Sequence, residues 1–380
     1  MSGIHFNWQR EGIGPFMTGV SLHSHTLHSR ESLDFVQKAT VQTPVLSGII
    51  RKHQSDYRAV YGTDLDLKRA WWTPPLMPCH AFDVERRQLE GRGLNALVSL
   101  SDHDTMDACL QLSLTPDARK CPVSVEWTVP FRGTFFHVGV HNVVFERAGE
   151  VMREMRQLTA RPDEADTEAF LEYLACAPQT LIILNHPLWD ESRIGDTAHR
   201  IRAVEFLHRF MPAIHALELN GLRRWQENRD VIRMAESLGK PVVSGGDRHG
   251  KQGNACINLT NALTFDEFVE EVRAGSHSDI LFLDEYREPL AIRVLESIAD
   301  VLEDYPEHGM GWRRWTDRVF YEGDDGVARS VTELCGKNVS PIVDRAVALM
   351  PMAKSSRLKF ALRLALARNG DAMSMARPRS

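Results

Sequence analysis

Paired cysteines are missing from this 380-residue sequence. The six cysteines (Cys79, Cys109, Cys121, Cys176, Cys256, Cys335) are scattered with no C-x-x-C spacing. That pattern excludes a thiolate zinc motif and argues against a disulfide framework. Also missing is any apolar run approaching the ~18–20 residues that span a bilayer. The opening "MSGIHFNWQREGIGPF" has no basic segment followed by an apolar run, so no secretory signal is visible and a cytoplasmic, membrane-free protein is expected. Positive charge is not in excess: 45 Lys+Arg against 51 Asp+Glu give a formal net charge of -6. A polyanion would therefore need a local basic pocket, since the overall field does not attract it. No internal repeat or low-complexity tract breaks the chain. What remains is ordinary globular composition, 43% hydrophobic and 25% charged, in a length that one large α/β barrel can use.

Short apolar runs recur, interleaved with helical patterns. "GVSLH" (19–23), "LNALVSL" (94–100), "PVSVEWT" (122–128), "FFHVGVHNVVF" (135–145), "TLIILNH" (180–186), "AIHALELNG" (213–221) and "KPVVSGG" (240–246) all read as strands. Several are nearly continuous in Val, Ile and Leu, as expected for strands buried on both faces. Helical segments such as "DVERRQLEGRG", "EAFLEYLACA" and "RDVIRMAESLG" lie between them, with Gly93 and Gly239 as C-terminal stops. Thr264 and Glu267 read as a capping box opening a further helix. Strands alternating with helices predict a mostly parallel sheet, and seven such units suffice to close a barrel. Two regions depart from the repeat. An insertion over about 36–82 contains "WWTPPLMPCH", whose prolines predict a loop rather than helix or sheet, and is expected to form a lid or a substrate wall. From 286 to 380 the strands give way to helical patterns.

The runs end in chemistry. His23 and His25 alternate onto one side of the first strand. The second run ends in "SDHDT" with Asp102, His103 and Asp104; the third carries Glu126, and the fourth carries His137 and His141 on one face. The remaining three end in His186, in Glu218 and Asn220, and in Asp247 and His249. In barrels of parallel strands these ends meet at one rim. Any single histidine here has a structural explanation; the joint arrangement does not. Imidazoles and carboxylates without thiolates suit zinc, manganese or iron(II). The donors exceed those of one catalytic zinc, so two or three divalent ions are expected, with Glu126 as a bridge. Metals about 3.5–4 Å apart activate water for in-line displacement at phosphorus. His5, His53, His80, His199, His208, His277 and His308 fall outside the pattern and read as surface or core residues.

The motifs "HSHTLHS", "SLSDHDT", "VEWT", "FHVGV", "NHP" and "SGGDRHG", in that order over residues 18–285, resemble the polymerase-and-histidinol-phosphatase (PHP) family of metal-dependent phosphoesterases. The resemblance implies a distorted (β/α)7 TIM-like barrel over 1–285 with a helical C-terminal extension over 286–380. It makes His23, His25, His103, Glu126, His137, His186, Asp247 and His249 metal ligands for two or three Mn2+, Zn2+ or Fe2+ ions. Glu126, His186 and Asp102 are the catalytic candidates. One position departs from the family: five residues after the second histidine, where an Asp is usual, stands Arg30. A guanidinium offers donors only. Three readings follow: Glu31 swings in as the carboxylate; one metal position is vacant and Arg30 contacts a substrate phosphate; or Arg30 points outward. His28 is a further donor candidate, and His141 a hydrogen-bonding support behind the ligands.

Arg30, Asn220, Arg223 and Arg224 are the substrate-binding candidates, with Trp225 available to stack on a base. The expected reaction is phosphate ester hydrolysis of a small phosphorylated substrate, with nucleotides and short oligonucleotides among the classes admitted and no stable protein partner inferred. Two rival readings are an amidohydrolase-type metal hydrolase and a metal-binding barrel without catalysis, serving as scaffold or regulator. Amidohydrolases often rely on a carboxylated lysine bridge, and here no lysine ends a core strand. The 353–380 stretch, with seven Lys/Arg against one Asp, reads as a basic amphipathic helix packed on the domain.

Overall fold

A computed structural model of the chain describes residues 3–7, 14–33, 55, 58, 59, 62, 66–275, 279–336, 345, 347–357, 359, 360 and 363. The greater part of the 36–82 insertion, His53, His277 and most of the basic 353–380 stretch lie outside them.

The chain opens with β1 (Ile4–Phe6), β2 (Thr18–Ser21), β3 (Glu31–Ser32) and β4 (Ala70–Trp72). Helix α1 (Pro78–Glu90) starts on a proline, whose missing N–H and fixed φ suit a first turn. It stops at Gly91, and Gly93, at φ 76°, turns the chain into β5 (Asn95–Val98). A short α2 (Asp107–Leu112) leads to the hairpin of β6 (Val125–Phe131) and β7 (Thr134–His141). Helices α3 (Ala148–Ala160) and α4 (Glu164–Ala175) precede β8 (Leu181–Leu184), α5 (Asp196–Phe210) precedes β9 (Ala216–Asn220), and α6 (Trp225–Leu238) precedes β10 (Val242–Gly245). Gly239 ends α6 in the left-handed region at φ 63°. Then come β11 (Cys256–Thr260), α7 (Phe265–Arg273), β12 (Asp279–Phe282), α8 (Leu290–Leu302), β13 (Val319–Glu322), β14 (Ala328–Ser330) and α9 (Val331–Cys335). Thr264 caps α7 by accepting from the Glu267 amide, while the Glu267 carboxylate reaches back to the Leu263 amide. Among the described residues no helix is long and apolar enough to cross a membrane.

Each of the seven apolar runs contains a strand, but their pairing is mixed. Two five-stranded sheets, ordered β1-β12-β11-β2-β5 and β10-β9-β8-β7-β6, stand beside a four-stranded sheet, β14-β13-β4-β3. β6 with β7, β7 with β8, and β11 with both neighbours are antiparallel. The expected mostly parallel pairing is therefore corrected, and among the described residues no continuous ladder closes. The reason is local. Only Arg132 and Gly133, both at positive φ, separate β6 from β7, and so short a connection can only form a hairpin. The two five-stranded sheets nevertheless meet at both edges of one rim, through isolated bridges at His103–Glu126 and Ser24–Arg248. Val20 and Leu22 from one sheet and Leu181, Ile183, Ala216 and Val243 from the other share an apolar cluster, which Phe265, Phe268 and Val269 of α7 join.

The segment after 285 is a second correction, because it is not wholly helical. "VFYEGDDGVARS" forms the β13–β14 hairpin, and β13 pairs with β4 through Val319–Trp72, Phe320–Trp71 and Tyr321–Ala70. The insertion and the C-terminal segment thus share one sheet. Lys354, Lys359 and Arg363 pair with Asp300, Glu296 and Glu288 along and beside α8.

Candidate metal centre

The rim where the bridges fall is stitched by backbone hydrogen bonds just beyond the strand ends. The His25 amide donates to Arg248 O (2.9 Å), Asp247 N to His23 O (2.7 Å), Glu126 N to Asp102 O (3.1 Å) and Asn185 N to His137 O (2.9 Å). These bonds hold the backbone at His23, His25, Glu126, His137 and Asp247 against neighbouring segments. His23 (φ 61°), His186 (φ 26°) and Asp247 (φ 53°) lie in the left-handed region that non-glycine residues avoid. Such strain persists where the surroundings over-determine it, typically at functional sites.

Glu126, fully buried, is the hub. One carboxylate oxygen lies 2.8 Å from His23 Nε2, 3.3 Å from His25 Nε2 and 3.4 Å from His103 Nδ1. The other lies 3.2 Å from His186 Nε2 and 3.5 Å from His137 Nδ1, and accepts from Asn185 Nδ2 at 3.0 Å. Asp247 Oδ1 stands 3.5 Å from His25 Nε2 and 3.8 Å from His23 Nε2. Glu31, on β3, points inward: it lies 3.2 Å from His249 Nε2 and 3.5 Å from His103 Nε2, and Ser29 Oγ donates to it at 2.6 Å. The ligand atoms fall into three overlapping groups: His25–Glu31–His103–His249, His23–His25–Glu126 and His103–Glu126–His137.

Supporting contacts orient the rings. His23 Nδ1 meets Glu218 Oε1 at 2.6 Å, leaving Nε2 for the cluster. Glu218 also accepts from the His186 amide (2.9 Å) and from Asn220 Nδ2 (2.9 Å). A Cβ at Gly245 would overlap the Glu218 carboxylate, so only glycine lets β10 pass that close. His249 Nδ1 bonds to Asp247 O at 2.9 Å, which turns Nε2 toward Glu31. Histidines that bind metals are held in this way, with the far ring nitrogen fixing the tautomer.

This donor set fits divalent ions on two observations. His25 Nε2 is completely buried without a hydrogen-bond partner, and a buried imidazole nitrogen left unpaired is costly unless something else binds it. Charge compensation is the second. Burial works against a charged His23, yet Glu126 and Glu218 outweigh it and raise its pKa well above the usual histidine value. His25 is likewise raised to about 10, burial being overcome by Asp247 and Glu126. Burial opposes ionisation of Glu126, Glu31 and Asp247, but surrounding imidazoles, with Arg223 for Asp247, hold all three below the ordinary carboxylate range. His137, pressed by burial and by other imidazoles, is lowered. Protons on some rings thus balance the carboxylates of Glu126, Glu31 and Asp247, in place of the charge that a divalent cation would supply.

The other expected site residues fall as follows. Asp102 is buried beside the cluster and accepts from the Thr26 amide and hydroxyl at 2.5 and 2.7 Å; burial raises its pKa. Arg223 is buried at the edge, donating to Asp247 Oδ2 at 3.1 Å with its guanidinium 4.2 Å over Trp189. Arg30 is exposed and stacks on Trp71 at 4.9 Å, outside the cluster, and Arg224 is exposed. Asn220 is engaged at both ends of its amide, with Glu218 and with the Leu222 amide, inside the protein. Trp225 packs edge-on against Phe6 and Phe282 in the core and offers no platform for a base. His28 turns to Gln111 at 3.2 Å. His141, one step deeper on the face of His137, bonds Ser99 through Nδ1 at 2.8 Å.

Sequence reasoning missed Glu191, whose carboxylate stands 3.7 Å from His137 Nδ1, and Glu85, 0% exposed on α1. Glu85 receives Ser21 Oγ (2.8 Å), Ser24 Oγ (3.1 Å), the Asn254 amide (3.2 Å) and the Arg248 guanidinium. The signal for Glu85 was present: it interrupts the apolar stripe Ala81, Phe82, Leu89.

No family model matches the chain, and no curated protein matches it. Among solved structures, an amidohydrolase from Chromobacterium violaceum, with bound sulfate and no metal, is 14% identical over 48% of this chain and 86% of its own, at a TM-score of 0.34. PsfC from Pseudomonas syringae is 12% identical over 73% and 95%, at 0.36. A protein from Bifidobacterium adolescentis, provisionally assigned as a metal-dependent phosphoesterase, is 12% identical over 54% and 92%, at 0.34. These likenesses are remote.

Proposed function

We propose that the protein is a PHP-type metal-dependent phosphoesterase, its two five-stranded sheets being a distorted form of that family's barrel. The observation that carries this is the convergence of six imidazoles and three carboxylates on one rim, with His25 Nε2 buried at its centre between Glu126 and Asp247. His23, His25, Glu31, His103, Glu126, His137, His186, Asp247 and His249 would hold two or three Mn2+, Zn2+ or Fe2+ ions. Ions so held lower the pKa of water and neutralise charge on phosphoryl oxygens. Arg223 is a cation beside the cluster, its Nε buried and 3.8 Å from Glu227 Oε1. Set between Asp247 and the half-exposed Trp189, it would orient a phosphate at the edge by charge-assisted hydrogen bonds. Glu218 and Asn185 hold His23 and Glu126 in place. A phosphate ester is favoured over an amide because the donors exceed what one metal needs, and a cation flanks them.

The test is phosphate release by the manganese-loaded protein from nucleotides, short oligonucleotides and sugar phosphates, beside a panel of amides and His186→Ala. Turnover of a phosphate ester, reduced about 10–100-fold or more in the variant, is expected, as for loss of a group that holds a metal. Amide turnover alone would move the assignment to the amidohydrolase class. Metal binding without turnover of anything would leave a scaffold or regulator.

A further inference from the structure

Glu31 is two residues from Ser29, which touches its carboxylate, yet its backbone belongs to a different part of the molecule. β3 pairs with β4 through Glu31–Trp72 and Ser32–Trp71. A two-residue ladder has almost no stability of its own. β4 is held in turn by β13 of the C-terminal hairpin, where Val319 lies opposite Trp72 and Phe320 opposite Trp71. The Thr73 amide donates to Arg318 O at 2.9 Å, and Phe320 stacks on Trp71 at 5.7 Å and 20°. On the site side, the Trp72 ring stands 5.6 Å from that of His249, one of the imidazoles facing Glu31.

We propose, on the reading of the cluster as a metal centre, that the C-terminal hairpin is a positioning element for one metal position. It fixes β4, and β4 fixes Glu31 and the Trp72 wall behind His249. The position made by His25, Glu31, His103 and His249 then depends on residues some 290 positions away from Glu31 in the chain (Glu31 to Phe320). The deeper positions around Glu126 rest on strand ends of the two five-stranded sheets and do not. The arrangement also accounts for Arg30: the ladder that turns Glu31 inward turns its neighbour outward onto Trp71, as alternation along a strand requires.

The experiment measures metal content per chain by elemental analysis, and Mn2+ and Zn2+ affinity by titration, on the full-length protein. Glu31→Gln should bind one ion fewer than wild type. Phe320→Ala, which removes the ring stacked on Trp71, should weaken that same ion about 10–100-fold, the usual effect of a support behind a ligand, with the remaining ions retained. The double variant should bind no less than Glu31→Gln alone. Phe320→Leu, which keeps the strand and most of the volume, is read in place of Phe320→Ala if the latter does not fold. Wild-type affinity for every ion in the Phe320 variant, or loss of all ions from a folded one, overturns the proposal. Wild-type protein that binds no metal overturns the functional reading itself, so the two failures are distinguishable.

Discussion

At the scale of single residues, the carboxylates of the cluster favour protons on His23 and His25, where ions would otherwise balance the charge. His25 keeps its proton to about pH 10 because Asp247 and Glu126 outweigh burial, and His23 is raised by Glu126 and Glu218. A ring must be neutral to donate its lone pair, so metal binding near neutral pH has to expel protons. The sign follows: affinity rises with pH, and roughly one proton or more leaves per ion. Calorimetry in buffers of different ionisation enthalpy measures this directly, and a heat independent of buffer would contradict it. Arg223 carries a second prediction. Its guanidinium holds Asp247 Oδ2 and caps the edge of the site, so Arg223→Lys, which keeps charge but loses the fork, should raise KM for a phosphate ester more than it lowers kcat. The sequence showed the histidines because each punctuates an apolar run. It did not choose among three readings of Arg30 and Glu31, because that depends on a strand pairing between distant segments.

Elements are held by one buried carboxylate. Glu85 projects from α1 and ties the end of β2 to the loop between β10 and β11, through Ser21, Ser24, Asn254 and Arg248. That loop carries Asp247 and His249, so the helix sets the placement of two candidate ligands it never touches. Both Glu85 and Arg248 are nearly inaccessible to solvent, at 0% and 5% exposure. Replacing Arg248 by Met should cost about 3–5 kcal/mol, since it leaves Glu85 buried without its cation. Urea denaturation of the metal-free protein measures the loss, and a change below about 1 kcal/mol would show that the serines and the Asn254 amide satisfy Glu85 unaided. Periodicity found α1 from Asp83 onward, but the prolines of "WWTPPLMPCH" hid its first turn at Pro78 and the β4 strand Ala70–Trp72, and a glutamate in an apolar stripe reads as noise. Only the partner across the fold, an arginine flanked by Asp247 and His249, explains it.

For the whole molecule, strand content was legible and closure was not. Apolar runs announce strands, whereas parallel or antiparallel pairing depends on connection length, and the two-residue turn between β6 and β7 decides it. The C-terminal hairpin was equally readable in "VFYEGDDGVARS", four strand-forming positions before a Gly-Asp turn, but the helices around it set the expectation. These sheets should be sensitive to acid wherever a buried histidine inside them is held neutral. His215 is the cleanest case. It precedes β9, accepts the Ile182 amide from β8 at 2.9 Å, and is pushed down to about 3 by burial and by Arg273 and Lys240. In the unfolded chain the same ring titrates near 6.5. Its contribution to stability is therefore complete above about pH 6.5 and is lost as pH falls toward the folded value, because the unfolded state gains a proton that the native state refuses. His215→Gln retains an acceptor for the Ile182 amide and removes the titration. Between pH 7 and pH 5 wild type should lose of order 1 kcal/mol more than the variant, read from urea midpoints at equal metal loading. Parallel losses in the two proteins would place the acid sensitivity in other buried imidazoles held below the usual histidine value, such as His137 and His141.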